Sequence, residues 1–137
     1  MEQAAIDAAP GECCGLIEGV REQDEFRAVA LHPVRNLAAA PEHFELDPAG
    51  HVAAQKSARA NGHHLIGCYH SHPNGKPTPS DADLSGAAEE NFLWLIAATD
   101  GTGCRLGAFV YRGARFEDVV LSAVGADLVT SSLNERR

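Results

Sequence analysis

Positive charge is scarce in this 137-residue chain: 11 lysines and arginines stand against 19 aspartates and glutamates, for a net charge of -8. Nowhere do the basic residues cluster. The electrostatic footprint that supplies most nucleic-acid affinity is therefore missing, and a DNA or RNA partner is disfavoured. No stretch approaches the roughly 20 apolar residues of a membrane span. The first residues, Met1-Glu2-Gln3-Ala4-Ala5-Ile6-Asp7, lack the basic patch and apolar run of a secretion signal. The expectation is a soluble, cytoplasmic protein with no membrane partner. Four cysteines, Cys13, Cys14, Cys68 and Cys104, have no C-x-x-C spacing. Without a secretion signal they read as reduced, buried, small apolar residues and not as a disulfide framework or a metal site. Repeats, low-complexity tracts and linkers are also absent, so residues 1–137 are expected to form a single domain of ordinary size.

The elements can be read in order. Met1 to Ala9 has the composition of a short helix that Pro10-Gly11 would stop. Cys13 to Gly19 and Glu25 to Val34 read as two strands of a hairpin. Pro33, Asn36 and Pro41 then break the pattern, and Arg35 to Phe44 becomes a loop passing over one edge of the sheet. Asp47-Pro48 has the order of a helix start and Asn61-Gly62 that of a helix end, which makes Ala49 to Ala60 the main packing helix. Leu65 to Tyr69 is a compact apolar run, a central strand. Ser80 to Asn91 follows as a second helix, Leu93 to Thr99 as a third apolar strand and Asp100 to Gly103 as a turn. Arg105 to Tyr111 and Arg115 to Val124 are two final strands. The tail Asp127 to Arg137 is too polar to place. This alternation predicts an α/β fold, a sheet with helices on its faces.

The chemistry concentrates in Tyr69 to Asp83, which reads Tyr-His-Ser-His-Pro-Asn-Gly-Lys-Pro-Thr-Pro-Ser-Asp-Ala-Asp. Side chains two apart on a strand share a face, so His70 and His72 can converge on one point while Ser71 turns away. The segment Pro73 to Pro79, with three prolines and Gly75, makes a rigid turn able to bring Ser80 and Asp83 back over the pair. Catalytic zinc sites keep three protein ligands and leave the fourth position to water, a count that His70, His72 and Asp83 meet. Such a site still needs a carboxylate to move the proton. Ser80-x-x-Asp83 is equally a helix capping box, and that reading stays open at this point. The other histidines, His32, His43, His51, His63 and His64, show no partner spacing and read as surface or loop residues.

His70-Ser71-His72, seven residues, Ser80, two residues and Asp83 resemble the signature of the JAMM (MPN+) family of zinc metallopeptidases. Pro10-Gly-Glu-Cys-Cys-Gly-Leu-Ile17 is similar to that family's upstream glutamate segment. Asn36 through Phe44-Glu-Leu-Asp47-Pro48 and Leu93-Trp-Leu-Ile96 are similar to its small prokaryotic members. The resemblance implies His70, His72 and Asp83 as ligands of one Zn2+ per chain, Glu12 as general base and Ser80 as a hydrogen-bond donor to the oxyanion. It also implies a three-layer α/β/α, cytidine-deaminase-like fold with a mixed sheet, its core spanning residues 10–122. The deaminase Pro-Cys-x-x-Cys pattern is absent, so deaminase chemistry is not expected. The implied activity is hydrolysis of an amide after the C-terminal di-glycine tail of a ubiquitin-like or sulfur-carrier (ThiS/MoaD-type) protein, including carrier-cysteine adducts. The other readings are a RadC-like protein and a non-catalytic MPN-type interaction scaffold.

Overall fold

A computed structural model describes residues 12–23, 25–39, 43–100 and 103–132. Among the described residues, seven strands and two helices follow in the order β1 (Cys14–Glu22), β2 (Glu25–Val34), α1 (Pro48–Ala60), β3 (His64–His72), α2 (Asp81–Gly86), β4 (Phe92–Thr99), β5 (Cys104–Arg112), β6 (Arg115–Val124) and β7 (Asp127–Ser132). The strands close into a barrel in the order β1-β2-β7-β6-β5-β4-β3. Only β3 and β4 run parallel; the other neighbours are antiparallel.

This closure corrects the expected three-layer α/β/α sheet. The polar tail that gave no sequence signal supplies β7, which pairs with β6 along its whole length and with β2 through Arg27 and Ala28. Joining those two ends turns an open sheet into a barrel and removes its free edges. The helical cover is also thinner than expected, because the helix over Ser80 to Asn91 is confined to Asp81–Gly86. Only α1 packs broadly on the barrel wall, over β1, β2 and β3. The helix expected over Met1 to Ala9 lies outside the described residues, as do two residues of the turn between β4 and β5.

Strand alternation sorts the core into two clusters. Ile17, Phe26, Ile66, Leu93, Leu95 and Val110 fill one, with Leu121 and Leu128 of the closing strands against it. Leu16, Ala54, Cys68, Trp94, Ile96 and Phe109 form the other, which includes a buried residue of α1. In β3 the alternation breaks once: Ile17 pairs with Gly67 and Glu18 with Leu65, leaving Ile66 as the extra residue of a bulge. The bulge lets Ile66 and Tyr69 join the first cluster while Cys68 joins the second. It thereby sets which face His70 and His72 occupy.

Candidate metal centre

His70 and His72 end β3, both buried. They share a face, with their Nε2 atoms 2.9 Å apart. Ser71 points the other way and does separate work. Its Oγ accepts from the Cys13 N–H at 2.8 Å and its own N–H donates to the Cys13 carbonyl at 3.0 Å. Those bonds continue the β1/β3 register, in which Cys14 faces His70, so Glu12 comes to stand opposite His72. A ligand atom of Glu12 and one from each imidazole lie within 4.8 Å of one another.

Asp83 arrives from α2. Its backbone N–H donates to Ser80 Oγ at 3.1 Å and its Oδ2 accepts from the Ser80 N–H at 2.9 Å, a complete capping box. The same carboxylate places Oδ1 3.0 Å from His70 Nε2 and Oδ2 3.0 Å from His72 Nε2. Capping therefore aims Asp83 instead of consuming it. Ser80 Oγ acts as acceptor in the cap, which leaves its O–H to donate elsewhere.

The two imidazoles are held differently. His72 Nδ1–H donates to the Lys76 carbonyl at 2.9 Å, because a carbonyl can only accept, and in the neutral ring this leaves Nε2 with a lone pair. His70 Nδ1 has no hydrogen-bond partner among the described residues. Its ring is fixed by packing, with Phe44 stacked at 4.3 Å and Trp94 edge-on at 5.7 Å. Burial dominates His70 and lowers its pKa despite Asp83. At His72 burial also lowers, but Asp83 and the Lys76 carbonyl outweigh it and the pKa rises. Burial would raise the Asp83 carboxyl, yet hydrogen bonds from both histidines and the Ser80 N–H bring it below the usual carboxylate range.

A metal ion fits these donors. Two imidazole nitrogens and a carboxylate, each about 3 Å from the next, converge with little water, so either protons on the imidazoles or a shared metal cation must offset the repulsion of their lone pairs. Adjacent donors around zinc at roughly 2.0–2.2 Å stand about this far apart, and the His/carboxylate set suits that ion.

Asn36 read from sequence as a strand breaker at the start of a segment similar to the prokaryotic family members, with no role of its own, yet all four hydrogen-bonding positions of its amide are used. Its Nδ2 donates to the Glu12 carbonyl at 2.8 Å and the His43 carbonyl at 3.2 Å. Its Oδ1 accepts from Ala38 and Glu45 N–H at 2.9 Å each. It joins the backbone of Glu12 to the loop that carries Phe44. Beyond Phe44, a cleft of about 220 Å³ is lined by Leu46, Ala82, Gly86, Trp94 and Asp83.

Two histidines read as surface or loop residues are committed elsewhere. His32 Nε2 and His63 Nδ1 lie 2.8 and 2.6 Å from the carboxylate of buried Glu18, which also accepts from Asn61 at 3.0 Å. The cysteines are free thiols. Burial pushes Cys14 up to about 12 and Cys68 well above its ordinary value, so both pack as inert protonated groups.

A barrel whose strand end and helix cap hold two histidines and an aspartate, with a buried glutamate beside them, is a scaffold of the metal-dependent hydrolase class. The chain belongs to the prokaryotic homologues of the JAB domain, whose family model matches residues 1–109. It is a JAMM-type hydrolase, an isopeptidase. A desampylase of Haloferax volcanii is 34% identical over 118 residues, covering 85% of this chain and 81% of that protein. A probable TtuB-protein conjugate cleaving protease of Thermus thermophilus is 33% identical over 94 residues, covering 68% of this chain and 60% of that one. A solution structure of a Desulfitobacterium hafniense protein superposes with a TM-score of 0.72 at 30% identity, covering 89% of this chain and 86% of that one. No helix among the described residues is long and apolar enough to cross a membrane.

Proposed function

We propose that this chain hydrolyses the amide bond after the C-terminal di-glycine tail of a ubiquitin-like or sulfur-carrier protein, with one zinc ion held by His70, His72 and Asp83. The observation that carries the reading is the meeting of Asp83 with both imidazole Nε2 atoms at 3.0 Å, with Glu12 alongside. The names of the Haloferax and Thermus relatives support the substrate class. When bound, zinc supplies Lewis acidity toward the scissile carbonyl and lowers the pKa of a water to about 7. Glu12 is the proton carrier: it takes the proton of the attacking water and returns it to the departing amine, whose expulsion as an anion would be prohibitive. The Ser80 hydroxyl donates to the oxyanion that develops on the carbonyl.

Asp83 and Glu12 are separable by mutation. Glu12→Gln keeps its size and is expected to retain zinc while turnover falls by roughly 10²–10⁴-fold, the contribution of general acid–base catalysis. Asp83→Asn removes the charge shared by the two histidines and is expected to lose zinc. Metal content by mass spectrometry and cleavage of carriers bearing C-terminal extensions or cysteine adducts read both arms. Full turnover by Glu12→Gln would reject the assigned base. Activity that survives chelation and metal depletion would reject the zinc mechanism.

A further inference from the structure

The turn from Pro73 to Pro79 is held at three successive carbonyls. Gly75 O accepts from Arg105 Nη2 at 2.6 Å. Lys76 O accepts from His72 Nδ1–H at 2.9 Å. Pro77 O rests on the bare backbone of Gly107, where a Cβ would overlap it. Gly75 has φ +78, a conformation that glycine adopts without strain.

The anchors form a pattern across the sheet. His72 is in register with Ala98 of β4, and Ala98 with Arg105 of β5; His70 is likewise in register with Ile96, and Ile96 with Gly107. Residues in register share a face. The turn therefore crosses the end of β4 and lands on the two β5 residues that lie level with the two histidines. The middle carbonyl, seated between the two landings, is the one that orients His72.

We propose that Arg105 and Gly107 are positioning residues for the metal centre, forming a seat on β5 that fixes the Lys76 carbonyl and, through it, the ring of His72. His70 is wedged by Phe44 and Trp94, whereas among the described residues the far nitrogen of His72 is held by its hydrogen bond to Lys76 O. A partner that orients a ligating histidine is worth roughly 10–100-fold in metal affinity. Arg105 supplies the charge-assisted bond that pins one end of the turn, and Gly107 supplies the absence of a side chain that allows the close approach at the other. The inference rests on the zinc reading given above.

Zinc dissociation constants, measured by competition with a chromophoric chelator, test it together with the thermal unfolding of the metal-free proteins. Arg105→Met keeps the aliphatic stem without the donors, and Gly107→Ala displaces Pro77. Each is expected to weaken zinc binding about 10-fold; the metal-free melting temperature stays near wild type in Arg105→Met and falls in Gly107→Ala, whose Cβ would meet the Pro77 carbonyl and the Phe109 ring. Arg105→Lys, still able to donate to Gly75 O, is expected to recover most of the affinity. Wild-type zinc affinity in both Arg105→Met and Gly107→Ala would overturn the seat and leave the proposed function standing. A loss in Arg105→Met matched by equal destabilisation of its metal-free fold would overturn it as well. A wild-type protein that takes no zinc would instead sink the zinc reading, and the seat with it.

Discussion

Asn36 is the residue on which the geometry of the proposed base depends most directly. Glu12 lies two residues before the start of β1, outside the regular ladder, and its backbone carbonyl is tied down by the Asn36 amide. Asn36→Ala removes four hydrogen bonds at once and leaves the Glu12 and His43 carbonyls to find water. The expected outcome is a fall in turnover of roughly 10²-fold, the cost of misplacing a catalytic group by about 1 Å, with zinc content unchanged because no ligand is touched. Metal analysis beside a cleavage assay checks this. Equal loss of zinc and of turnover would show that Asn36 supports the Phe44 loop more than the base. From sequence alone this side chain looked like a loop former, since its partners lie up to 24 residues away. His70, His72 and Asp83 were legible because their spacing within one strand–turn–helix segment is itself the geometric requirement.

At the scale of elements, Glu18 joins three of them. From β1 it accepts hydrogen bonds from His32 on β2 and from Asn61 and His63 at the end of α1, so one buried carboxylate locks the packing helix to the sheet. Burial alone would raise its pKa, but the hydrogen bonds from His63, His32 and Asn61 outweigh it and hold the group at about 2, against an ordinary 4.5. The unfolded chain therefore binds more protons than the native one between these values. The resulting stabilisation is fully present above pH 4.5 and is lost as the pH falls toward 2. Urea midpoints measured across that range should drop with acid in the wild type and much less in Glu18→Gln. At neutral pH the substitution should cost about 2–4 kcal/mol, since hydrogen bonds to a charged group are replaced by neutral ones and one donor is left facing an amide nitrogen. The elements themselves were largely readable: the β1/β2 hairpin, α1 with its Asp47 cap, and the apolar runs of β3 and β4 follow from period, caps and turn residues. The length of α2 was not. Ser80 and Asp83 announce where a helix starts, but the six-residue helix ends at Gly86 with no sharp stop signal.

The whole molecule depends on a strand that carried no sequence signal. In β7, Thr130 Oγ1 accepts from the buried Phe26 N–H at 3.1 Å, and Leu128 packs against the first core cluster. Truncation after Gly125 removes that strand and strips two neighbouring ladders. The loss takes away a large part of the roughly 5–15 kcal/mol by which domains are stable. Loss of the cooperative thermal transition by circular dichroism is the expected result. A cooperative transition in the shorter protein would show that the barrel holds without its closing strand.

Local chemistry in the sequence determined the candidate metal-binding segment, the helix cap that aims Asp83, most strand positions and membership of the JAMM family, because each depends on residues a few positions apart. Tertiary structure decided the rest. It set Glu12 across from His72 through a strand pairing that joins Cys13 to Ser71, 58 positions apart in sequence, and placed Arg105 and Gly107 level with the histidines two strands away. It also closed the sheet with β7. Strand register and closure are settled by which faces can be buried together once the whole chain is collapsed, and no short window of sequence contains that information.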